Sequence, residues 1–243
     1  MDNCKMNMTI NIEDARAILI SWKEQLKDKV QPPSNYLAYK PAFELEYFTE
    51  AVIRRFMELA EATFILLDAN KYLGSIVTVR SIQETTAVIW YLNEKCLYAL
   101  AHNDLTQYTE TMTRLMLGWK DDEGFPNAIN VLNLIDKVDK QLSGYRKHYD
   151  KLSEFVHPNW HGTMGLFAKT GGKELKVEFG GYIRGKNELI ELIETTLITS
   201  IGLVALVKNQ NGDMINKLID MCCKLNDKGE LNKQIQTTWN THQ

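Results

Sequence analysis

A phenol, a hydroxyl and an imidazole recur every fourth residue in the stretch Tyr145 to His157: Tyr149, Ser153 and His157. If the stretch is helical, the three side chains share one face. Pro158 follows directly, and a proline disfavours helical geometry in the residue before it, so the helix is expected to end at His157. An imidazole there meets the negative end of the helix macrodipole, which its positive form complements. A histidine so placed suits proton donation or the holding of a phosphate. The same position equally fits a histidine that caps a terminal carbonyl, with Tyr149 and Ser153 as satisfied polar groups beneath a loop.

A second cluster of reactive types lies earlier, in Arg80-Ser81-Ile82-Gln83-Glu84. The surrounding segment, about Gly74 to Leu100, is apolar on all sides (Ile76, Val77, Val79, Ile82, Val88, Ile89, Trp90, Leu92), as in a central helix. Arg80 and Glu84 are four residues apart and fall on one face. Charges inside such a helix need partners, so both are expected to be largely buried and to contact the Tyr149 to His157 segment. An ordinary structural ion pair explains them as well.

Other chemistries find little support. Glu154-x-x-His157 has the spacing of a di-iron ligand pair, but no second Glu-x-x-His occurs, and no metal or other cofactor is expected. No G-x-S-x-G elbow and no phosphate-binding loop is present. The four cysteines, Cys4, Cys96, Cys222 and Cys223, have no metal spacing, and the adjacent pair is poorly placed to bridge itself. With no export signal at the start, the thiols are expected to be reduced and the chain cytoplasmic. A net charge of −3 argues against the broad basic surface of a high-affinity nucleic-acid binder and leaves room only for a local basic site.

The elements that must position these residues are mostly helices. The chain has 243 residues, 44% of them hydrophobic and 24% charged, consistent with one globular domain. Periodicity predicts helices over Glu13 to Val30 (with Asn11 and Asp14 as its cap), Glu44 to Asp68, Gly74 to Leu100, Asp104 to Trp119, Asn127 to Leu142, Tyr145 to Val156, Lys186 to Asn209 and Asp213 to Leu225. Pro32 and Pro33 close the first, and the turn Asp121 to Pro126 separates the fourth and fifth. The most apolar run, Leu197 to Val207, is too short to span a bilayer and reads as buried helix, with no membrane partner. One β-hairpin is expected: strands Met164 to Lys169 and Glu174 to Phe179, joined through Thr170 to Lys173, with Leu175, Val177 and Phe179 on one inward face. The sum is an all-α bundle of six to eight helices over residues 1–226, with the hairpin inserted at about 164–179 and a polar tail over 227–243.

The central Arg80-Ser81-Ile82-Gln83-Glu84 and the later Tyr149-x-x-Leu152-Ser153-x-x-x-His157-Pro158 together resemble a group of microbial helical proteins related to the HEPN superfamily. The similarity in organisation covers roughly Glu44 to Val207, and the motif-level similarity is confined to those two segments. The resemblance implies a helical bundle, commonly a homodimer, in which an Arg and a His separated by four to six residues act together. Many members are metal-independent ribonucleases of toxin or antiviral systems. Only His157 carries over directly; Lys151, with five residues between it and His157, stands where the Arg belongs, and Arg146 is too distant. Lys keeps the charge but loses the guanidinium fork. Two functions follow as expectations. One is an RNA endonuclease with His157 as general acid or base and Arg80 or Lys151 stabilising charge, supported by Glu84, Tyr149 and Ser153. The other is a non-catalytic helical module that engages a partner protein.

Overall fold

The computed structural model describes residues 11–32, 34–120, 124–171, 176–182 and 184–236. Among them the chain is an all-α bundle: α1 Ile12–Glu24, α2 Tyr36–Asp68, α3 Tyr72–His102, α4 Thr106–Leu117, α5 Val131–Gln141, α6 Tyr145–Val156, α7 Met164–Phe167, α8 Lys186–Asp227 and α9 Leu231–Gln236. Seven of these are long, and α7 and α9 are single short turns. The hairpin strands are β1 Ala168–Gly171 and β2 Lys176–Phe179.

The predicted start of α1 is present in full. Asn11 Oδ1 accepts from the backbone N–H groups of Glu13 and Asp14, and Asp14 Oδ2 accepts from Asn11 N, a reciprocal cap. The helix ends at Glu24, six residues earlier than expected, because α2 side chains take over the backbone there. Lys27 N donates to Glu50 Oε1 at 2.8 Å, and Arg54 Nη2 donates to Lys27 O at 2.6 Å. The α2 helix begins eight residues before its predicted start and carries Pro41 inside it. The carbonyl of Pro41 accepts from the buried Tyr108 hydroxyl at 2.8 Å, which ties that first part of α2 to α4.

The α3 helix is central, as its all-round apolarity predicts, and packs against α2, α4, α5, α6 and α8. The α8 helix runs unbroken through Asn209 to Asp213, where two helices were expected. Val207, Met214, Leu218 and Met221 continue one buried stripe across the gap, and this burial offsets the roughly 1 kcal/mol cost of Gly212 in a helix interior. On length and composition alone α8 is able to cross a membrane; in this fold Leu189, Ile193, Leu197, Ile201 and Val204 are buried in the bundle core. The chain beyond Asp227 is not wholly a tail, since α9 packs on α4 and α8 and buries Leu231; residues 237–243 lie outside the described residues.

The hairpin is shorter than expected. Residues 164–167 form a helical turn, held by Gly165 N donating to Trp160 O at 2.6 Å and Phe167 N to Thr163 O at 3.0 Å. The strands are antiparallel in the register Ala168 to Phe179 and Thr170 to Val177. The expected inward face is missing: all of β2 is exposed, Phe179 by 79%, while Leu175 and residues 172 and 173 of the turn lie outside the described residues.

Candidate functional site at the seam of α3 and α6

The α6 helix has the bounds its sequence predicts, and each end has a physical cause. Gly144 precedes it at φ +94°, a backbone conformation that glycine adopts without strain. Asp139 Oδ1, from the end of α5, accepts from Gly144 N and Arg146 N and so caps the open amides of the first turn. At the other end His157 N donates to Ser153 O at 3.0 Å in the last helical bond. The chain then turns extended at His157, with φ −72° and ψ 142°, as Pro158 requires. The loop that follows folds back over the helix end. A side chain at Gly162 would lie 2.2 Å from His157 O and 2.5 Å from Phe155 O, so only glycine fits there.

Tyr145, Tyr149 and Leu152 form the buried face of α6. Along it Arg80 of α3 reaches the final turn of α6. Its Nε donates to Ser153 Oγ at 2.9 Å and its Nη2 to Tyr149 Oη at 2.5 Å, with the guanidinium carbon 4.8 Å from the Tyr149 ring centroid. Tyr149 in turn donates its proton to Glu84 Oε1 at 2.7 Å, and Arg80 Nη2 lies 3.3 Å from the same carboxylate oxygen. Ser153 completes the chain by donating to Tyr149 O at 2.9 Å. Burial, reinforced by the Glu84 carboxylate, pushes the Tyr149 phenol up to about 12. It therefore stays protonated at neutral pH and remains the donor to Glu84.

The expected contact of Arg80 and Glu84 with α6 is present, but the pair is half-buried, with side chains 29% and 23% exposed. The reason is their place on the rim of α3, where α6 is short and covers only part of the helix. The Nη1 group of Arg80 has no hydrogen-bond partner among the described residues. Lys151 does not join the cluster. Two residues from Tyr149 and from Ser153, it points to another side of α6 and pairs with Glu188 Oε1 at 2.7 Å. His157 is exposed and makes no side-chain hydrogen bond or ion pair among the described residues. It sits one turn beyond Ser153 on the same face, where Cβ atoms are spaced by roughly 5–6 Å.

Sequence reasoning did not single out the neighbouring Trp160 and His161. Trp160 is 57% exposed and meets His161 edge to face at 5.3 Å, while His161 Nδ1 lies 3.7 Å from Glu154 Oε2. The turn that presents them is built by Asn159, which accepts from Gly162 N and donates to Glu154. Asn before a glycine three positions on is a turn signal that marks such a loop. Among the described residues no group of three His, Cys, Asp or Glu side chains comes together in a way that could hold a metal ion. The chain matches no family model, no curated protein and no solved structure.

Proposed function

We propose that this chain is a HEPN-like, metal-independent RNA endonuclease in which His157 of α6 and Arg80 of α3 are the working pair. The observation that carries this reading is the bond from Arg80 to Ser153, one helical turn before His157. It answers the missing arginine of the α6 motif: the fork comes from the neighbouring helix, and Lys151, occupied by Glu188, is not needed for it. Tyr149, Ser153 and Glu84 are positioning residues. They fix the guanidinium by its Nε and Nη2 edges and leave Nη1 for a phosphate oxygen. His157, exposed and unengaged, takes a proton from the 2′-hydroxyl or gives one to the leaving oxygen, and Arg80 stabilises the charge on the phosphorus-bound oxygens.

The non-catalytic module remains a second reading, favoured by one observation. Neither His157 nor Arg80 lines the cavity beside Gln83 or the one formed by Trp160, His161 and Arg184 past the end of α6, so a substrate would meet them outside both. Incubation of the wild type and His157→Ala with single-stranded and structured RNA in EDTA separates the two. Cleavage by the wild type that is lost in the variant, with helical circular dichroism unchanged, supports the nuclease. Equal behaviour of the two proteins leaves the module.

A further inference from the structure

One turn toward the start of α6 from the Arg80 cluster, the same seam opens into a cavity of about 230 Å³. Its floor contains Gln83, Tyr145 and Thr196, all buried, and its wall contains the half-buried His148 and Thr199. Thr195 and Gly144 stand exposed on the rim. Gly144, at φ +94°, has no atom near the position a side chain would take, so the mouth stays open on that side.

Gln83 is 1% exposed and only half satisfied. Its Nε2 donates to Tyr145 O at 2.9 Å, and the Tyr145 hydroxyl donates back to Gln83 O at 2.9 Å, so the side chain is pinned in place. Its Oε1 has no partner among the described residues. A buried amide oxygen without a donor costs about 1–3 kcal/mol, and folded proteins rarely leave one so. Gln83 lines the cavity, with Oε1 itself almost wholly covered, so a donor entering there reaches it once the lining side chains shift slightly.

His148 supplies a second acceptor. The hydroxyl of Thr196 donates its single proton to Leu192 O at 2.7 Å, so its 3.2 Å contact with His148 Nδ1 requires the imidazole to donate from Nδ1. In the neutral ring Nε2 then carries the lone pair, and no donor among the described residues is bonded to it. Burial, with Lys151 nearby, holds the imidazole below its ordinary range and keeps it neutral at pH 7. No Lys, Arg, Asp or Glu lines the cavity among the described residues, so nothing there compensates a charged ligand. At about 230 Å³ the cavity is somewhat larger than the ~150 Å³ that holds a benzene ring in an engineered core, so it suits a single ring system.

We propose that this cavity is a binding site for a small uncharged molecule with N–H donors, of the size and chemistry of a nucleobase or an aromatic carboxamide. The N–H donors meet Gln83 Oε1 and His148 Nε2, the ring lies against Tyr145, and the threonine hydroxyls adapt to the remaining edge. The site stands on its own geometry and does not rest on the nuclease reading.

Adenine, cytosine and nicotinamide, each titrated into the full chain under protein-observed NMR, provide the test. At least one is expected to bind with a Kd below about 1 mM and to shift the Gln83 side-chain amide. Thr195→Phe, an exposed rim change that fills the mouth, is expected to weaken that probe tenfold or more. Gln83→Met, which removes the orphan acceptor, is expected to do the same. Failure of all three probes to bind below about 1 mM overturns the proposal, as does unaltered binding in Thr195→Phe. The rim variant decides the matter if Gln83→Met does not fold.

Discussion

The two halves of the α3–α6 seam are built from the same kinds of residue and left in different states. At the Arg80 half, Tyr149, Ser153 and Glu84 are joined through one guanidinium, and each hydroxyl has both a donor and an acceptor role filled. At the Gln83 half, one turn away, a more deeply buried amide keeps an acceptor with no partner among the described residues beside a cavity. The difference teaches that polar groups on a buried face do not carry one meaning. A network that satisfies its own hydroxyls holds one side chain, Arg80, in a fixed pose, whereas an unsatisfied acceptor beside a cavity leaves a bond still to be made.

Substitutions can break this contrast. The largest effect is expected for Arg80→Ala, which strips Tyr149 and Glu84 of their shared donor and leaves a half-buried carboxylate without its cation. A loss of about 2 kcal/mol, less than for a fully enclosed pair, should appear in urea unfolding. Tyr149→Phe should cost about 1–2 kcal/mol, and the double variant with Arg80→Ala should fall short of the sum, because both changes cut the same bond. Additive losses would dissolve the network into separate contacts. Gln83→Met should change stability by less than about 1 kcal/mol, since it removes one bond and one unsatisfied oxygen together. If Gln83→Met costs as much as Tyr149→Phe, the two halves of the seam are alike after all.

The smallest expected effect concerns pH. His148 has its folded-state value lowered, so the folded state binds fewer protons than the unfolded one as pH falls. Its contribution is complete above the ordinary histidine value of 6.5 and is lost as pH drops through that value toward the lowered one. Urea midpoints at about pH 8 and about pH 5 should therefore differ less in His148→Asn than in the wild type. An unchanged difference would remove His148 as a buried, neutral acceptor.

Where local residue chemistry decides an outcome, the sequence carried it. The bounds of α6 follow from Gly144 and Pro158, the start of α1 from Asn11 and Asp14, and the reach of Arg80 and Glu84 toward α6 from two charges in an apolar helix. Tertiary packing decides the rest. Nothing local announces that Pro41 lies inside α2, that Gly212 is carried through α8 by the buried stripe around it, or that Met164 to Phe167 coils before the strand begins. Lys151 was drawn into the site by its spacing from His157, but spacing alone does not say which face of α6 looks at α3, and Lys151 faces Glu188 instead. The cavity beside Gln83 belongs to three helices at once and leaves no trace in any one of them.

The central claim is that Arg80 and His157, from different helices, act on one phosphate. A kinetic double-mutant cycle on a cleavable RNA, with EDTA present, tests it most directly. Wild type, Arg80→Lys, His157→Ala and the double variant would be compared, the lysine keeping the charge while removing the fork. Residues that act as a unit give non-additive losses, so each single change should reduce the rate by about a hundredfold or more and the double variant should be scarcely slower than His157→Ala. A wild type that cleaves nothing, or an Arg80→Lys variant as fast as the wild type, would contradict the account.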